Sequence, residues 1–275
     1  MNLCEVSILS ALVFVGLGLY DEKDVSLRGL AEINEAAAVF AEFYTSLMPG
    51  LSIQKLEELT AKKVRVISRR ALEEEGGQSI LDAAKKGKAV FLVPGDPLIA
   101  TTHIDLRIRA EKQGIKTHVI HGASIVSAVI GLSGLQNYKY GRSVTIPFPH
   151  EEYTPETPYE VIMKNKKLGL HTLCFLDIKA EEEKYMTVEG ALQTLLAVEE
   201  RRRQNVITAD MLVVGVARAG SEHPIVKADY VQNAVKYDFG SPPHTLIFPG
   251  KLHFMEAEAL ITLAKAPPEI RRTSK

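Results

Sequence analysis

The sequence predicts a two-domain α/β protein, and three observations carry that prediction. Short, unbroken apolar runs alternate with amphipathic helical stretches through the first half of the chain. Several of those runs end in a glycine- or proline-rich turn. Across residues 138–158 the composition shifts to aromatics, Gly141 and four prolines, the character of a crossing segment, and a second α/β series follows. The first domain is therefore placed at residues 1–135 and the second at residues 136–275.

The elements follow in order. Leu12-Val13-Phe14-Val15 reads as a strand closing at Gly16-Leu17-Gly18-Leu19. Ser26 can cap a helix with Leu27, Leu30 and Ile33 on one face. Residues 38–44 and 64–67 read as two further strands. Ser79 opens a short helix with Ile80, Leu81 and Ala84, stopped near Gly87. Ala89-Val90-Phe91-Leu92-Val93 is apolar throughout, as expected of a strand covered on both faces, and Pro94-Gly95-Asp96-Pro97 follows at once. A helix from Thr101 or Thr102 carries Ile104 and Ile108 and ends at Gly114; residues 117–120 form a strand and 124–135 a helix. This alternation points to a parallel sheet flanked by helices. In the second half, residues 173–176, 211–216 and 245–248 are strands. Val188, Leu192, Leu195 and Leu196 mark one helix, and Phe254, Ala257, Leu260, Ile261 and Ala264 another. Pro267-Pro268 ends the last helix and leaves the Arg271-Arg272 tail loose.

The composition narrows the function classes. The 275 residues can support two cores, with apolar residues at 46% and charged ones at 24%, a soluble balance. Thirty-three basic and 34 acidic residues leave a charge of −1, so no global field draws the chain to nucleic acid or an anionic membrane. Cys4 and Cys174 stand far apart and outside any C-x-x-C pair, which suits a reducing cytoplasm and argues against disulfides or structural zinc. The apolar stretch at residues 6–19 is too short for a membrane span, which takes ~20 residues, and Glu5 stands where a signal peptide carries positive charge. It reads as a buried first strand behind a short leader.

Five turns share one pattern, a buried strand followed by an unusual loop: Gly16 to Leu19, Pro94 to Pro97, Gly122-Ala123-Ser124, Ala219-Gly220-Ser221 and Pro242-Pro243-His244. Open α/β sheets collect ligands beyond the carboxyl ends of their strands, where glycine lets backbone approach closely. Asp96 is the most telling residue, because the flanking prolines stiffen its turn and aim the carboxylate; the alternative is a cap on a helix beginning near Ile99. The first glycine turn lacks the third glycine of G-x-G-x-x-G, since Asp21 stands there, and no phosphate loop or nucleophile elbow is present. His118 and His121, three apart on a strand end, face opposite ways and make poor joint metal ligands; His103 and His244 stand at loops where either could touch a ligand or serve the framework. Arg201-Arg202-Arg203 ends a helix and complements its dipole.

With these turns in place the chain resembles the diphthine branch of the tetrapyrrole-methylase-like S-adenosylmethionine methyltransferases. The likeness rests on Val15-Gly16-Leu17-Gly18-Leu19-Tyr20-Asp21, Ala41-Glu42-Phe43-Tyr44-Thr45-Ser46, Pro94-Gly95-Asp96-Pro97-Leu98 with Ala100-Thr101-Thr102-His103, and Leu170-His171-Thr172-Leu173. It continues through Phe175-Leu176-Asp177-Ile178-Lys179-Ala180, Ala217-Arg218-Ala219-Gly220-Ser221, Pro242-Pro243-His244 and Pro249-Gly250-Lys251-Leu252-His253. The resemblance implies two α/β domains of the tetrapyrrole methylase type with a cofactor cleft between them, usually in a homodimer. Carried to matching positions, it implies S-adenosyl-L-methionine held by Leu19, Asp96, Ile99, Ser124, Ile125, Leu176, Ala219 and His244. The implied acceptor is the amino group of an aminocarboxypropyl chain on a modified histidine of translation elongation factor 2, with S-adenosyl-L-homocysteine as by-product and no metal. The sequence departs from the pattern in the residues ahead of the first strand, 1–10, and in the variable crossing region at His150-Glu151-Glu152. No general base is singled out: Asp96, Tyr44 and Asp177 are candidates by position. A tetrapyrrole acceptor, a non-catalytic nucleotide-binding module and nicotinamide-dependent redox chemistry are the competing readings.

Overall fold

The computed structural model describes residues 10–149 and 154–273. The chain divides into two compact units, Met1–Ser124 and Ile125–Lys275. No helix among the described residues is long and apolar enough to cross a membrane.

The first unit runs β1 (Ala11–Gly16), α1 (Leu27–Glu35), β2 (Ala38–Ala41), α2 (Ile53–Thr60), β3 (Val64–Val66), α3 (Arg69–Glu73), α4 (Gln78–Lys86), β4 (Lys88–Val93), α5 (Ile104–Lys112) and β5 (Lys116–Ile120). Its five strands are all parallel, in the order β3-β2-β4-β1-β5. The apolar runs predict this placement: β1 and β4, buried almost throughout, are inner strands, whereas β3 and β5 are partly exposed and lie at the edges. Val13, Val15, Leu17, Ile33, Val39, Leu56, Val90 and Leu92 make one core cluster. Connections leaving β1 and β4 run in opposite directions along the sheet, toward β2 and β5, the arrangement at which open parallel sheets gather ligands.

Several local expectations hold and others shift. Ser26 accepts a hydrogen bond from Gly29 N and caps α1, yet Leu27 is exposed and Gly29 and Ile33 face the core. Likewise α5 buries Leu106 and Ala110, not Ile104 and Ile108. Strand β2 stops at Ala41, short of residue 44, because Glu42 turns its carboxylate back onto the amides of Tyr44 and Thr45. Helices α2 and α3, not foreseen, start on capping Ser52 and Ser68.

The second unit runs α6 (Ile125–Ser133), β6 (Val144–Ile146), α7 (Thr157–Lys167), β7 (Thr172–Leu176), β8 (Ile178–Lys179), β9 (Lys184–Tyr185), α8 (Val188–Arg202), β10 (Leu212–Ala217), β11 (Ile225–Tyr230), α9 (Val231–Ala234), β12 (His244–Phe248) and α10 (Phe254–Ala264). Its main sheet is mixed, in the order β11-β10-β12-β7-β6, with only β6 and β7 parallel. The unit begins at Ile125 rather than at residue 136, because α6 buries Val129 in a cluster with Leu135, Val214, Ile247, Ala257 and Leu260. The crossing segment contains β6, and the tail is not loose: Ile270 is buried and Arg271 makes two 2.9 Å bonds to Glu258. Residues 1–9 and His150-Glu151-Glu152, singled out as departures, lie outside the described residues.

A buried carboxylate ties this unit together. Glu256 Oε1 accepts from Gln136 N at 2.8 Å and His171 Nε2 at 2.9 Å; its Oε2 accepts from His253 N at 2.8 Å and from Lys139 Nζ. Burial alone would raise its pKa, but these donors outweigh that and bring it to about 2. Because the folded value lies below the ordinary 4.5, the stability it confers is complete above the unfolded value. That stability is lost as pH falls toward about 2. Replacing Glu256 by Gln should cost about 3 kcal/mol at neutral pH and flatten the acid limb of the stability profile, measured by denaturant unfolding between about pH 2 and 7.

Candidate active site

At the carboxyl edge of the parallel sheet three turns meet backbone to backbone. Gly18 and Gly95 form an antiparallel bridge, with Gly95 N donating to Gly18 O at 2.6 Å and Gly18 N to Gly95 O at 3.3 Å. A Cβ on Gly16 would lie 2.5 Å from Gly95 O and 2.6 Å from Gly122 N, and one on Gly122 would lie 2.5 Å from Gly95 O. Neither obstacle is a side chain that could swing away, so only glycine fits at both positions. The turns after β1, β4 and β5 are thereby locked into one platform.

Asp96 projects from it. The residue is 9% exposed, and its Oδ2 lies 2.7 Å from His121 Nδ1 at the end of β5. The helix-cap alternative falls away, since the next helix, α5, starts only at Ile104. Asp96 Oδ1 meets the amide of Leu98 at 3.5 Å, while its carbonyl takes Ile99 N at 3.2 Å. Ile99 leaves 45% of its surface exposed, an apolar side chain beside the turn with no core role. Leu19 follows Gly18, its amide donating to Asp24 Oδ2 at 2.9 Å together with that of Tyr20 at 2.7 Å. Asp21, which replaces the third fingerprint glycine, caps a 3-10 turn at Glu22–Asp24. Ser124 ends the turn after β5. Leu19, Asp96, Ile99 and Ser124 thus all belong to the loops at this sheet edge.

The other four predicted residues belong to the second unit. Ala217 pairs with His244 across β10 and β12, Thr245 with Phe175 across β12 and β7, and Ile146 with Leu176 across β6 and β7. Leu176, His244 and the turn holding Ala219 therefore gather at one end of the mixed sheet. Ala219 and Ile125 pack against the same apolar cluster. Arg218, at φ 50°, turns the chain there; its amide donates to Pro243 O at 2.9 Å and its guanidinium to Phe239 O at 3.1 Å and to Ser241 O. The Pro242-Pro243 bond is cis. His244 is wholly committed to backbone: Nε2–H donates to Gly240 O and Ser241 O at 3.1 and 3.2 Å, and Nδ1 accepts from Val188 N at 3.3 Å. Burial holds its imidazole below the ordinary range, so it is a neutral framework group.

Of the other candidate bases, Asp177 is bound to backbone and Tyr44 is buried. Both oxygens of Asp177 accept 2.9 Å bonds from backbone, Oδ2 from Phe148 N and Oδ1 from Ile178 N. The Tyr44 phenol is buried, and burial pushes it well above its usual value. The residue that sequence reasoning missed is His121. Its position just past β5, beside Gly122, is the signal; the i, i+3 spacing from His118 drew attention to metal binding instead.

Residues 11–229 match the family of Tetrapyrrole (Corrin/Porphyrin) Methylases. The chain belongs to this family and is a methyltransferase of its α/β type. Among its relatives, a protein named diphthine synthase from Methanosarcina acetivorans is 52% identical over 264 residues, 94% of this chain and 98% of that one. One of the same name from Methanocella arvoryzae is 51% identical over 253 residues, covering 92% and 98%. A crystal structure of diphthine synthase superposes with a TM-score of 0.88 at 42% identity, covering 96% of this chain and all of that one.

The glycine platform yields a direct test. Gly122→Ala should lower stability by about 1–3 kcal/mol and disturb the Asp96 turn. Gly131→Ala, in α6 with nothing within 4 Å of the added carbon, should raise it by up to about 1 kcal/mol. Paired thermal unfolding curves check both; equal effects would refute the account.

Proposed function

We propose that this protein transfers a methyl group from S-adenosylmethionine to the amino group of the aminocarboxypropyl-modified histidine of translation elongation factor 2, forming diphthine in diphthamide biosynthesis. The observation that carries the reading is the locked turn presenting Asp96, in a chain matched over nearly its whole length by proteins named diphthine synthase. The residues suit the cofactor. Three glycine turns allow main chain to approach a ligand closely, Asp96 offers a carboxylate shielded from water, and exposed Ile99 offers an apolar surface. Leu19, Asp96, Ile99, Ser124, Ile125, Leu176, Ala219 and His244 are the residues proposed to hold it.

When bound, S-adenosylmethionine supplies a methyl group on a sulfonium, which is reactive without a metal or a covalent nucleophile. The chain's own task is to orient and desolvate. Aligning nitrogen, methyl carbon and sulfur can lower the barrier by up to ~7–11 kcal/mol in favourable cases. The acceptor amine must shed a proton before it attacks. Asp177 and Tyr44 do not serve as its base, for the reasons of bonding and burial given above. His244 acts through shape, since its two nitrogens keep the cis-proline turn in place. The protein works in the cytoplasm as a homodimer, with elongation factor 2 as its macromolecular substrate and no nucleic acid or membrane partner.

Incubation with methyl-labelled S-adenosylmethionine and elongation factor 2 carrying the modified histidine should place label in the factor. Label appearing only in a porphyrin-like acceptor, or cofactor binding with no product, would sink the reading. Asp96→Ala should weaken cofactor binding by about tenfold or more, equivalent to ~1.4 kcal/mol or more, while unfolding stability changes by less than about 1 kcal/mol. Calorimetric titration beside thermal unfolding separates the two.

A further inference from the structure

Behind the Asp96 turn lies a buried polar cluster with no part in the residues assigned so far. Glu42 and His103 are both buried, at 0% and 1% exposure. Glu42 comes from the end of β2: its Oε2 accepts from Tyr44 N and Thr45 N, each at 3.0 Å, and its Oε1 from the Thr45 hydroxyl. His103 stands at the entry to α5, edge-on to Phe91 and Tyr44 with ring centroids 5.3 and 6.4 Å apart. Its Nδ1 lies 3.2 Å from the carbonyl oxygen of Pro97. Its Nε2 lies 3.8 Å from Glu42 Oε1 and, like Tyr44 Oη, has no hydrogen-bond partner among the described residues.

The bonding assigns the protons. A carbonyl can only accept, so Nδ1 carries hydrogen. A neutral ring then turns the lone pair of Nε2 toward Glu42 Oε1, 3.8 Å away and outside hydrogen-bond distance, and two buried acceptors that face each other favour a proton held on the carboxyl group. The charged and titratable groups around the ring are Glu42 and Tyr44 from the end of β2, and Arg69 and Glu73 from α3. Burial raises Glu42 above the usual carboxylate range and lowers His103, which agrees with the proton residing on the carboxyl group.

We propose that His103 is a positioning residue of the methyl transfer, gripping the Pro97 carbonyl from behind and so fixing the direction of Asp96, with the proton held on the facing Glu42 carboxyl group keeping the ring in place. The transfer itself rests on the function proposed above; the grip on the turn does not. The segment Glu42-Phe43-Tyr44-Thr45 is thereby mechanically linked to the cofactor turn.

The two ring nitrogens can be separated by substitution. An asparagine at 103 can restore an N–H near Nδ1, whereas a glutamine restores one near Nε2. In His103→Ala, backbone deuterium exchange across residues 93–99 should speed up about tenfold and cofactor Kd should rise by a similar factor. His103→Asn should bring both to within about threefold of the native protein, and His103→Gln should not. Native cofactor affinity should weaken as pH rises and Glu42 loses its proton. In Glu42→Gln, whose amide N–H is permanent, it should be flat over about pH 6 to 9.

Equal impairment of the Asn and Gln variants, or exchange untouched in every variant, would show that the ring only fills space. A flat native profile overturns the protonated Glu42. If the alanine variant fails to fold, the Asn–Gln comparison still decides. A native protein that binds no S-adenosylmethionine defeats the proposed function, while the exchange of residues 93–99 still decides the inference.

Discussion

The first unit depends on a steric constraint: the main chains after β1, β4 and β5 come closer than any side chain permits. A carbon added to Gly16 or to Gly122 would stand 2.5 Å from the carbonyl oxygen of Gly95. Backbone cannot yield there as a side-chain tip can, so the turns move together or not at all. The Gly18–Gly95 bridge adds hydrogen bonds to that contact. Asp96 inherits its direction from this arrangement, with His121 on one side and the Pro97 carbonyl, held by His103, on the other. A loop so placed on inner strands of a parallel sheet has the rigidity of the sheet.

The second unit reaches order by a different route, through buried polar groups with nearly every lone pair used. Glu256 gathers an amide from its own helix, an amide and a lysine from the segment before β6, and His171 at the start of β7. His171 in turn accepts from Gly250 N at 2.8 Å through Nδ1. Burial keeps both His171 and His244 below the ordinary imidazole range, and each divides its nitrogens into one donor and one acceptor. Histidine is used here as a neutral two-ended connector. The same division applies to His103, whose second nitrogen faces a carboxyl group instead of a backbone amide.

Much of this was legible beforehand wherever a local rule has a single outcome. The unbroken apolar runs of β1 and β4 can only be inner strands, and their turns can only lie at a sheet edge. Amphipathic faces were less secure. Leu27, Ile104 and Ile108 fit a helical stripe by spacing, yet the structure exposes them and buries Gly29, Leu106 and Ala110. Spacing specifies which residues share a face, not which face meets the sheet. Short or polar elements such as β6, β11 and α3 were missed because three to six residues without alternation give too little pattern. The pairing of His121 with Asp96 was not foreseen, since the two lie 25 residues apart in sequence.

By itself the sequence determined the α/β class, the parallel first sheet and the five turns, because each follows from local stereochemistry. Glycine and proline restrict backbone wherever they occur, and an apolar run needs cover whatever provides it. Only the tertiary structure decided which turns meet, that α6 belongs to the second core, and that Asp96 is paired with His121 rather than capping a helix. Only it decided that the Tyr44 phenol is buried and that Asp177 and His244 are bound to backbone. The reason is physical: burial, hydrogen-bond partners and charge environment depend on neighbours brought together by packing, and those neighbours lie tens of residues away along the chain.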